Sequence, residues 1–248
     1  MRILINGLYG HMGAEVAKLA AEGCRGAELT AGADVNCPES GAVPCAKDIR
    51  DAETDVDCII DFSHHSGTDA LLAFAVKNKL PLVLATTGQT EEERAAILAA
   101  SKQIPLFFAA NYSVGIALLI ELAKKTAAFM PDAEIEIIEK HHDRKLDAPS
   151  GTALAIASAI QEVRSDATLN CGRSGHAKRT KEEIGIHAIR MGNIVGEHEV
   201  IIGTPNQTIT LKHEAHSRAL FAEGALAAAE FLCGKPAGLY DMKSMVTL

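Results

Sequence analysis

The chain has 248 residues, enough for one large domain or two small ones with a substantial core. Its formal net charge is −8 and aromatic residues make up 4%. Both values argue against nucleic-acid partners, because phosphates bind to basic surfaces and single-stranded bases stack on exposed aromatic rings. The sequence has neither a signal-peptide pattern nor an apolar run that spans a bilayer, so we expect a cytoplasmic protein without a membrane partner. The six cysteines form no Cys-x-x-Cys pair, which favours reduced thiols and predicts no metal site.

Strand and helix patterns alternate in the first half of the chain. Strands separated by helix-length segments imply a parallel sheet with right-handed crossovers. The helix at 90–102 opens with Thr90 and three glutamates, whose charge complements the positive end of the helix dipole. We therefore expect an α/β, Rossmann-like domain with strands at 3–6, 27–33, 56–62, 82–85 and 105–109, and helices at 12–21, 67–78 and 90–102.

The pattern changes near residue 112. Adjacent strands with Gly and Asn punctuation follow, instead of alternating strands and helices. Such runs predict an antiparallel or mixed sheet, and hence a second, smaller α+β domain. Its predicted strands are 134–139, 186–191, 197–203 and 207–213, and the predicted helices of this half are 115–129, 150–163 and an Ala-rich 219–232.

A glycine loop follows the first strand, with glycines at positions 7, 10 and 13. Gly7 permits a tight turn, Gly10 lets the backbone approach a pyrophosphate, and Gly13 lets the helix pack closely. The second predicted strand ends at Asp34, whose carboxylate can accept hydrogen bonds from ribose hydroxyls. The alternative is a helix-start turn that binds nothing. The combination of strand, loop, helix, strand and acidic residue favours a dinucleotide site.

The densest group of ionisable side chains lies at 139–152, just after a predicted strand. Two histidines, an arginine and two lysines fall within six residues, and Pro149-Ser150-Gly151-Thr152 then opens an apolar helix. Ser150 or Thr152 can cap that helix, whose N–H groups suit a carboxylate. Cations beside a helix N-terminus indicate a small dicarboxylate substrate, and a histidine can deliver a proton. The alternative is a solvated charged loop before a capped helix.

Residues 139–153 resemble the signature of the 4-hydroxy-tetrahydrodipicolinate reductase (dihydrodipicolinate reductase) family. The resemblance extends over essentially the whole chain. It includes the nucleotide loop at 7–13, the Ala-Thr-Thr-Gly turn at 85–88 beside the nicotinamide, the hinge at 110–115, and later blocks at 192–198 and 216–218.

The resemblance implies an enzyme of the diaminopimelate route to lysine. It would reduce a cyclic imine dicarboxylate to tetrahydrodipicolinate, with hydride from NADH or NADPH. Proton transfer is assigned to His141, and Lys145 has a proton-donating or substrate-polarising role. The implied substrate-binding residues are His142, Ser150, Gly151, Thr152 and Arg218. The implied cofactor-binding residues are Gly7, Leu8, Tyr9, Gly10, His11, Met12, Asp34, Ala85, Thr86, Thr87, Ala109, Ala110, Asn111 and Tyr112.

Family similarity also implies a domain division and an assembly. Residues 1–112 and 219–248 would form the dinucleotide-binding domain. Residues 113–218 would form a substrate-binding and tetramerisation domain, so the protein would be a homotetramer.

Two positions of this chain depart from many family members. His11 and Val35 stand where relatives carry cations that pair with a 2′-phosphate, while Asp34 is retained. The remaining carboxylate repels a 2′-phosphate, so we expect NADH to be preferred. Rival interpretations are another two-domain dehydrogenase, of the aspartate- or sugar-dehydrogenase type, and a non-catalytic NAD-binding sensor. Residues 141–152 argue against both.

Overall fold

The computed structural model describes residues 1–246. Within that range the chain forms two compact units, one of residues 1–113 with 219–246 and one of residues 114–218. Residues 247 and 248, which the sequence assigns to the dinucleotide-binding domain, lie outside the described residues. In the described part of the chain, no helix has both the length and the hydropathy that a membrane crossing requires.

The strands and helices are numbered here in chain order. The strands are β1 Arg2–Asn6, β2 Glu28–Ala33, β3 Cys45–Ala46, β4 Cys58–Asp61, β5 Leu82–Leu84, β6 Pro105–Phe108, β7 Glu134–His141, β8 Thr168–Cys171, β9 Glu183–Arg190, β10 Gly196–Thr204, β11 Gln207–Ala215 and β12 Gly238–Tyr240. The α-helices are α1 His11–Ala21, α2 Thr68–Asn78, α3 Glu91–Ser101, α4 Val114–Phe129, α5 Gly151–Gln161, α6 Ala219–Leu232 and α7 Met242–Met245.

The first unit is built on a seven-stranded sheet in the order β12-β6-β5-β4-β1-β2-β3. Every neighbouring pair is parallel, which confirms the predicted α/β sheet. Leu4 and Ile59 of the sheet are fully buried in one cluster with Leu71 and Phe74 of α2 and Ile97 of α3. The strand order reverses at β1, and in such sheets ligands bind at the carboxyl ends of the strands beside that point.

Helix α3 begins with the predicted N-terminal signal. The Thr90 side chain accepts a hydrogen bond from the Glu93 N–H at 3.2 Å, and the Glu93 carboxylate accepts one from the Thr90 N–H at 2.7 Å. This reciprocal capping box satisfies two backbone donors that the helix itself leaves without partners.

The second unit contains a five-stranded sheet in the order β11-β10-β7-β9-β8. β10 is antiparallel to both neighbours, whereas β7, β9 and β8 are mutually parallel, so the predicted mixed sheet is confirmed. Helices α4 and α5 cover one face through apolar residues such as Ile116 and Ile156. The alternation in β7 points Ile135 and Ile137 into this core, and the next inward position is Glu139, which is 0% exposed.

Several elements differ from the sequence-based predictions. The strand predicted to end at residue 139 continues to His141, so that histidine lies on a strand end rather than in a loop. The sequence patterns missed β3, β8, β12 and α7, which have two to four residues each. Segments this short carry no periodicity, and β8 and β12 form only because a longer neighbouring strand is available for pairing.

The prediction of reduced thiols is wrong for two cysteines. Cys37 and Cys45 form a disulfide, with their Cα atoms 5.8 Å apart. The register of β3 against β2 pairs Cys45 with Gly32, so the intervening loop folds back and brings the thiols together. Cys24, Cys58, Cys171 and Cys233 are free. Residues 1–246 contain no cluster of three or more His, Cys, Asp or Glu side chains suited to a metal ion.

Candidate functional site

The glycine loop after β1 has the geometry that its spacing predicts. Gly7 has a φ of +83°, and a Cβ there would lie 2.6 Å from the Phe62 carbonyl oxygen. A Cβ on Gly13 would lie 2.0 Å from the Gly7 carbonyl oxygen, so α1 packs against the loop only because residue 13 is glycine. Helix α1 begins at His11, with Gly10 as an N-cap that offers no side-chain cap. Such a helix N-terminus fits a diphosphate.

Asp34, directly after β2, is held in place by the backbone. Its carboxylate accepts hydrogen bonds from the Tyr9 N–H at 3.0 Å and from the Asn36 N–H at 2.8 Å. It lines a cavity of about 430 Å³ together with Gly7, Gly10 and Lys47. The fixed carboxylate beside the glycine loop suits the hydroxyls of an adenosine ribose.

A second cavity of about 590 Å³ lies beside the same loop. Both cavities are lined by Phe62, Ser63 and His64, so they adjoin next to the start of α1. A dinucleotide fits this arrangement, because one cavity can take each half and the helix N-terminus can take the diphosphate. The predicted cofactor residues that line the larger cavity are His11, Met12, Ala85, Thr86, Thr87, Ala110, Asn111 and Tyr112.

Three other predicted cofactor residues have side chains elsewhere. Leu8 packs on β2, where a Cβ on Gly32 would lie 2.4 Å from its Cδ2. The Tyr9 ring is 45% exposed and its backbone N–H holds Asp34. Ala109 lines a separate cavity of about 140 Å³. For Leu8 and Tyr9, a cofactor contact would therefore come from the backbone.

A buried carboxylate supports the floor of the larger cavity. Asp61, at the end of β4, accepts hydrogen bonds from Asn6 Nδ2 at 2.7 Å, Ser63 Oγ at 2.6 Å and Thr86 Oγ1 at 2.6 Å. Burial raises the pKa of this carboxyl, although the three side-chain donors oppose the shift. The network joins the ends of β1 and β4 to the loop after β5, and it fixes Thr86.

In the second unit, the predicted proton donor lies in an ionic network. His141 Nδ1 is 2.6 Å from Glu139 Oε2. The Arg190 guanidinium donates to both oxygens of the same carboxylate, at 2.8 and 2.7 Å. Burial alone would raise the pKa of Glu139, but the donors from Arg190, His141 and the Ser150 backbone hold that pKa below its usual value. The carboxylate is therefore ionised beside the imidazole.

The start of α5 meets this network at Ser150. The Ser150 side chain caps the helix by accepting from the Ala153 N–H at 3.2 Å, and its Oγ is 3.1 Å from His198 Nε2. Burial is the main cause that lowers the pKa of His198 to about 4, and the positive charge that His141 can carry is the second cause. His198 is therefore neutral near pH 7, and its ring meets the His141 ring edge-on at 5.2 Å.

The remaining predicted substrate residues surround this helix start. A Cβ on Gly151 would meet nothing within 4 Å, so the space above the first turn of α5 is open. Lys145 Nζ lies 2.8 Å from Asp147 Oδ1. Burial, together with the charges of Arg144 and Arg218, lowers the pKa of His142. The Gly151 N–H donates to the Asp147 carboxylate, so this helix N-terminus among basic groups is of a kind that suits a carboxylate.

Sequence reasoning gave no role to several of these residues. Glu139 stands inside the signature segment, but its inward orientation depends on the strand reaching past it. Arg190 lies about fifty residues away in sequence and outside the family blocks, and His198 ends the block at 192–198 without a role having been assigned to it. Phe62, Ser63 and His64 directly follow a buried strand of a parallel sheet, and that position is the signal that marks them.

Comparison with known proteins agrees with this arrangement. Residues 1–112 match the family model described as dihydrodipicolinate reductase, N-terminus, and residues 115–246 match the corresponding C-terminus model. A 4-hydroxy-tetrahydrodipicolinate reductase of Caldanaerobacter subterraneus subsp. tengcongensis is 46% identical over 99% of this chain and 98% of its own length. One from Clostridium tetani is 43% identical over 99% of this chain and 97% of its own.

A solved structure supports the same conclusion. Dipicolinate-bound dihydrodipicolinate reductase from Paenisporosarcina sp. TG-14 has a TM-score of 0.79 and 26% identity, covering 100% of this chain and 99% of that one. The resemblance noted in the sequence is therefore confirmed. Since the two family models together match nearly the whole chain, the protein belongs to the dihydrodipicolinate reductase family.

Proposed function

We propose that this protein is a 4-hydroxy-tetrahydrodipicolinate reductase of the diaminopimelate route to lysine. It reduces a cyclic imine dicarboxylate to tetrahydrodipicolinate, and the nicotinamide supplies the hydride. The observation that carries the proposal is the site of the second unit, where an imidazole, basic groups and the N-terminus of α5 lie together. Family membership argues against a different two-domain dehydrogenase and against a non-catalytic NAD-binding sensor.

The substrate is bound through its two carboxylates. The first-turn N–H groups of α5, at Gly151 and Thr152, take one carboxylate, and the cations of the same unit neutralise the charge. The residues with this role are His142, Ser150, Gly151, Thr152 and Arg218. Preorganised charge of this kind positions the substrate and stabilises electron density as it develops.

The proton comes from His141. An imidazole can carry a proton near neutral pH, and the ionised Glu139 carboxylate, 2.6 Å from Nδ1, accepts the hydrogen of that nitrogen and so orients the ring. Lys145 polarises the substrate or donates a proton, with Asp147 holding its ammonium group. In this scheme His141 transfers the proton, and the ammonium group of Lys145 supplies a positive charge beside the substrate.

Turnover with freshly generated substrate tests this proposal. The purified protein is expected to oxidise NADH only when substrate is present. His141→Ala and Lys145→Ala are expected to lose most of kcat, by about a hundredfold, while still binding NADH. The matched controls are His176→Ala and Lys178→Ala, which remove the same side-chain types from exposed loop positions. Unchanged turnover in both site variants would refute the assigned roles.

The cofactor is proposed to be NADH, with NADPH as the weaker alternative. Asp34 presents a fixed carboxylate, and the neighbouring Val35 and His11 carry no permanent cation to pair with a 2′-phosphate. Comparison of kcat/KM for the two cofactors checks this preference. An advantage of about tenfold or more for NADPH would overturn it.

The assembly is proposed to be a homotetramer in the cytoplasm. Helices α4 and α5 cover one face of the five-stranded sheet of the second unit, and its other face carries half-exposed apolar residues such as Ile138 and Ile201. Such a face is suited to contact another subunit. Sedimentation equilibrium is expected to give four times the chain mass, and a monomer at assay concentration would contradict the proposal.

A further inference from the structure

Glu139 occupies a position where an ionised side chain is unexpected. The inward row of β7 runs through Ile135 and Ile137, both buried, and then reaches Glu139 with 0% exposure. An isolated carboxylate in such a place would be strongly destabilised by the loss of water. Its presence calls for partners that compensate the charge, and the second unit supplies them from three different elements.

The partners occupy both carboxylate oxygens. Oε2 lies 2.6 Å from His141 Nδ1 and accepts from Arg190 Nη1 at 2.8 Å. Oε1 accepts from Arg190 Nη2 at 2.7 Å and from the Ser150 N–H at 2.9 Å. The two-pronged guanidinium contact fixes the carboxylate plane, since both of its hydrogen bonds must be kept at once.

This geometry determines the state of the His141 ring. Because an ionised carboxylate only accepts hydrogen bonds, Nδ1 must carry the hydrogen, and Nε2 is left as the nitrogen that gains and loses the catalytic proton. A Cβ on Gly196 would lie 3.2 Å from Nε2. The glycine therefore keeps that nitrogen uncovered.

The same carboxylate also holds the start of α5. The Ser150 N–H that donates to Glu139 belongs to the N-cap residue, directly before Gly151 and Thr152. A shift of Glu139 would therefore move the proton donor and the proposed carboxylate-binding turn together.

We propose that Glu139 is a positioning residue that sets the tautomer of His141 and ties the His141 ring to the N-terminus of α5, with Arg190 holding the carboxylate in place. This inference rests on the proposed function, because it gives Glu139 a role in that reaction. Glu139 itself touches neither substrate nor cofactor in this scheme, and it acts through His141 and Ser150.

Other charged groups near His141 set the background for its titration. His198 on β10 faces its ring, Arg190 on β9 lies opposite it in the sheet register, and the loop after β7 brings His142 and the Lys145–Asp147 pair. Arg190 and Lys145 carry positive charges that disfavour a positive charge on His141, whereas Glu139 and Asp147 carry negative charges that favour it. Removing the Glu139 charge therefore makes the imidazolium harder to form.

The test is Glu139→Gln, which keeps the shape and removes the charge. The pKa of His141, followed by NMR of its ring nitrogens, is expected to be lower than in wild type, because a neighbouring negative charge has been removed. In turnover, kcat is expected to fall at least about tenfold, with the alkaline limb of its pH profile moved to lower pH and NADH affinity unchanged. Glu139→Asp, which restores the charge, is expected to recover the position of the limb.

Glu136→Gln is the matched control. It removes a carboxylate from the same strand, where Glu136 Oε2 lies 2.9 Å from His187 Nε2 on the opposite face of the sheet. The pKa of His141 and the pH profile are expected to match wild type. Should Glu139→Gln fail to fold, the double variant Glu139→Gln/Arg190→Gln leaves no uncompensated buried charge. Its His141 ring is expected to populate both neutral tautomers, because an amide can donate as well as accept a hydrogen bond.

Two results would overturn the inference. One is an unchanged His141 pKa in the folded Glu139→Gln protein, or a His141 ring that stays in the Nδ1–H tautomer alone in the double variant. The other is a loss of kcat that only follows the loss of folded protein, with no shift of the pH profile. Because the NMR titration needs no substrate, it remains decisive if the wild-type protein proves to have no reductase activity, and the two failures are thereby distinguished.

Discussion

Replacement of Asp34 by Asn tests which part of the nucleotide site selects the cofactor. Both oxygens of this carboxylate already accept backbone N–H groups, from Tyr9 and Asn36, so the side chain is held at one position. A 2′-phosphate bound in place of the ribose hydroxyl would meet that fixed negative charge. The amide keeps the shape of the side chain and removes the charge.

The size of the effect follows from the charge separation. Two unit charges about 4 Å apart repel by about 1 kcal/mol in water and by about 4 kcal/mol at the effective dielectric of a protein surface. For the half-buried Asp34, an intermediate value of about 2 kcal/mol corresponds to roughly a thirtyfold gain for NADPH. NADH loses a charged hydrogen-bond acceptor for its ribose hydroxyls, which lowers kcat/KM for NADH by about tenfold. Because the two effects multiply, we expect the NADPH/NADH ratio of kcat/KM to rise by about three hundredfold.

Steady-state kinetics with both cofactors at saturating substrate measures this ratio. Asp48→Asn is the control, because Asp48 lines the same cavity but its charge is paired with Arg50 at 2.5 Å. Its ratio is expected to change by less than about threefold. An Asp34→Asn ratio within threefold of wild type would refute the view that Asp34 sets the preference.

Three further predictions concern stability. Gly13→Ala places a Cβ 2.0 Å from the Gly7 carbonyl oxygen, so urea unfolding is expected to show a loss of about 1–3 kcal/mol with weakened NADH binding, unlike Gly67→Ala, whose Cβ meets nothing within 4 Å. The pKa of His198 is lowered from 6.5 to about 4 in the folded protein. Between pH 6.5 and about pH 4, His198 is therefore protonated in the unfolded chain but neutral in the folded protein. Urea unfolding is therefore expected to show stability falling by roughly 3 kcal/mol across that window, and less so in His198→Gln. Thr90→Ala removes the cap of α3 and is expected to cost about 1 kcal/mol, seen as a Tm lower by about 2–4 °C.

Each of these would fail on a definite result. Wild-type stability and NADH affinity in Gly13→Ala would mean that the loop does not hold α1 as closely as described. Equal pH dependence in wild type and His198→Gln would assign the acid loss to other groups. An unchanged Tm in Thr90→Ala would mean that the capping box adds nothing to the folded state.

The parts of the fold that repeat regularly could be predicted from the sequence. The glycine loop and the helix at 90–102 can be recognised from short stretches of sequence. The glycines and the capping residues that form them lie within a few positions of one another. The bounds of the helix at 219–232 were also predicted correctly. Local chemistry decided each of these elements.

The rest depended on pairing between distant segments. The partnership of Glu139 with Arg190 spans 51 residues and exists because β7 and β9 lie side by side. The Cys37–Cys45 disulfide depends on the register of β3 beside β2, which no spacing rule reveals. Such contacts follow from sheet order, and sheet order is a property of the whole unit.

The discontinuity of the first unit has a consequence for how the protein is made. Helix α6 packs on α1 and on strands β4, β5 and β6, and β12 adds the edge strand beside β6. Residues 1–113 therefore leave the ribosome before the helix that covers part of their sheet has been synthesised. The inserted unit, 114–218, is continuous and is the first to have all of its residues. The usual order of co-translational folding, in which the N-terminal domain is completed first, is thus reversed in this chain.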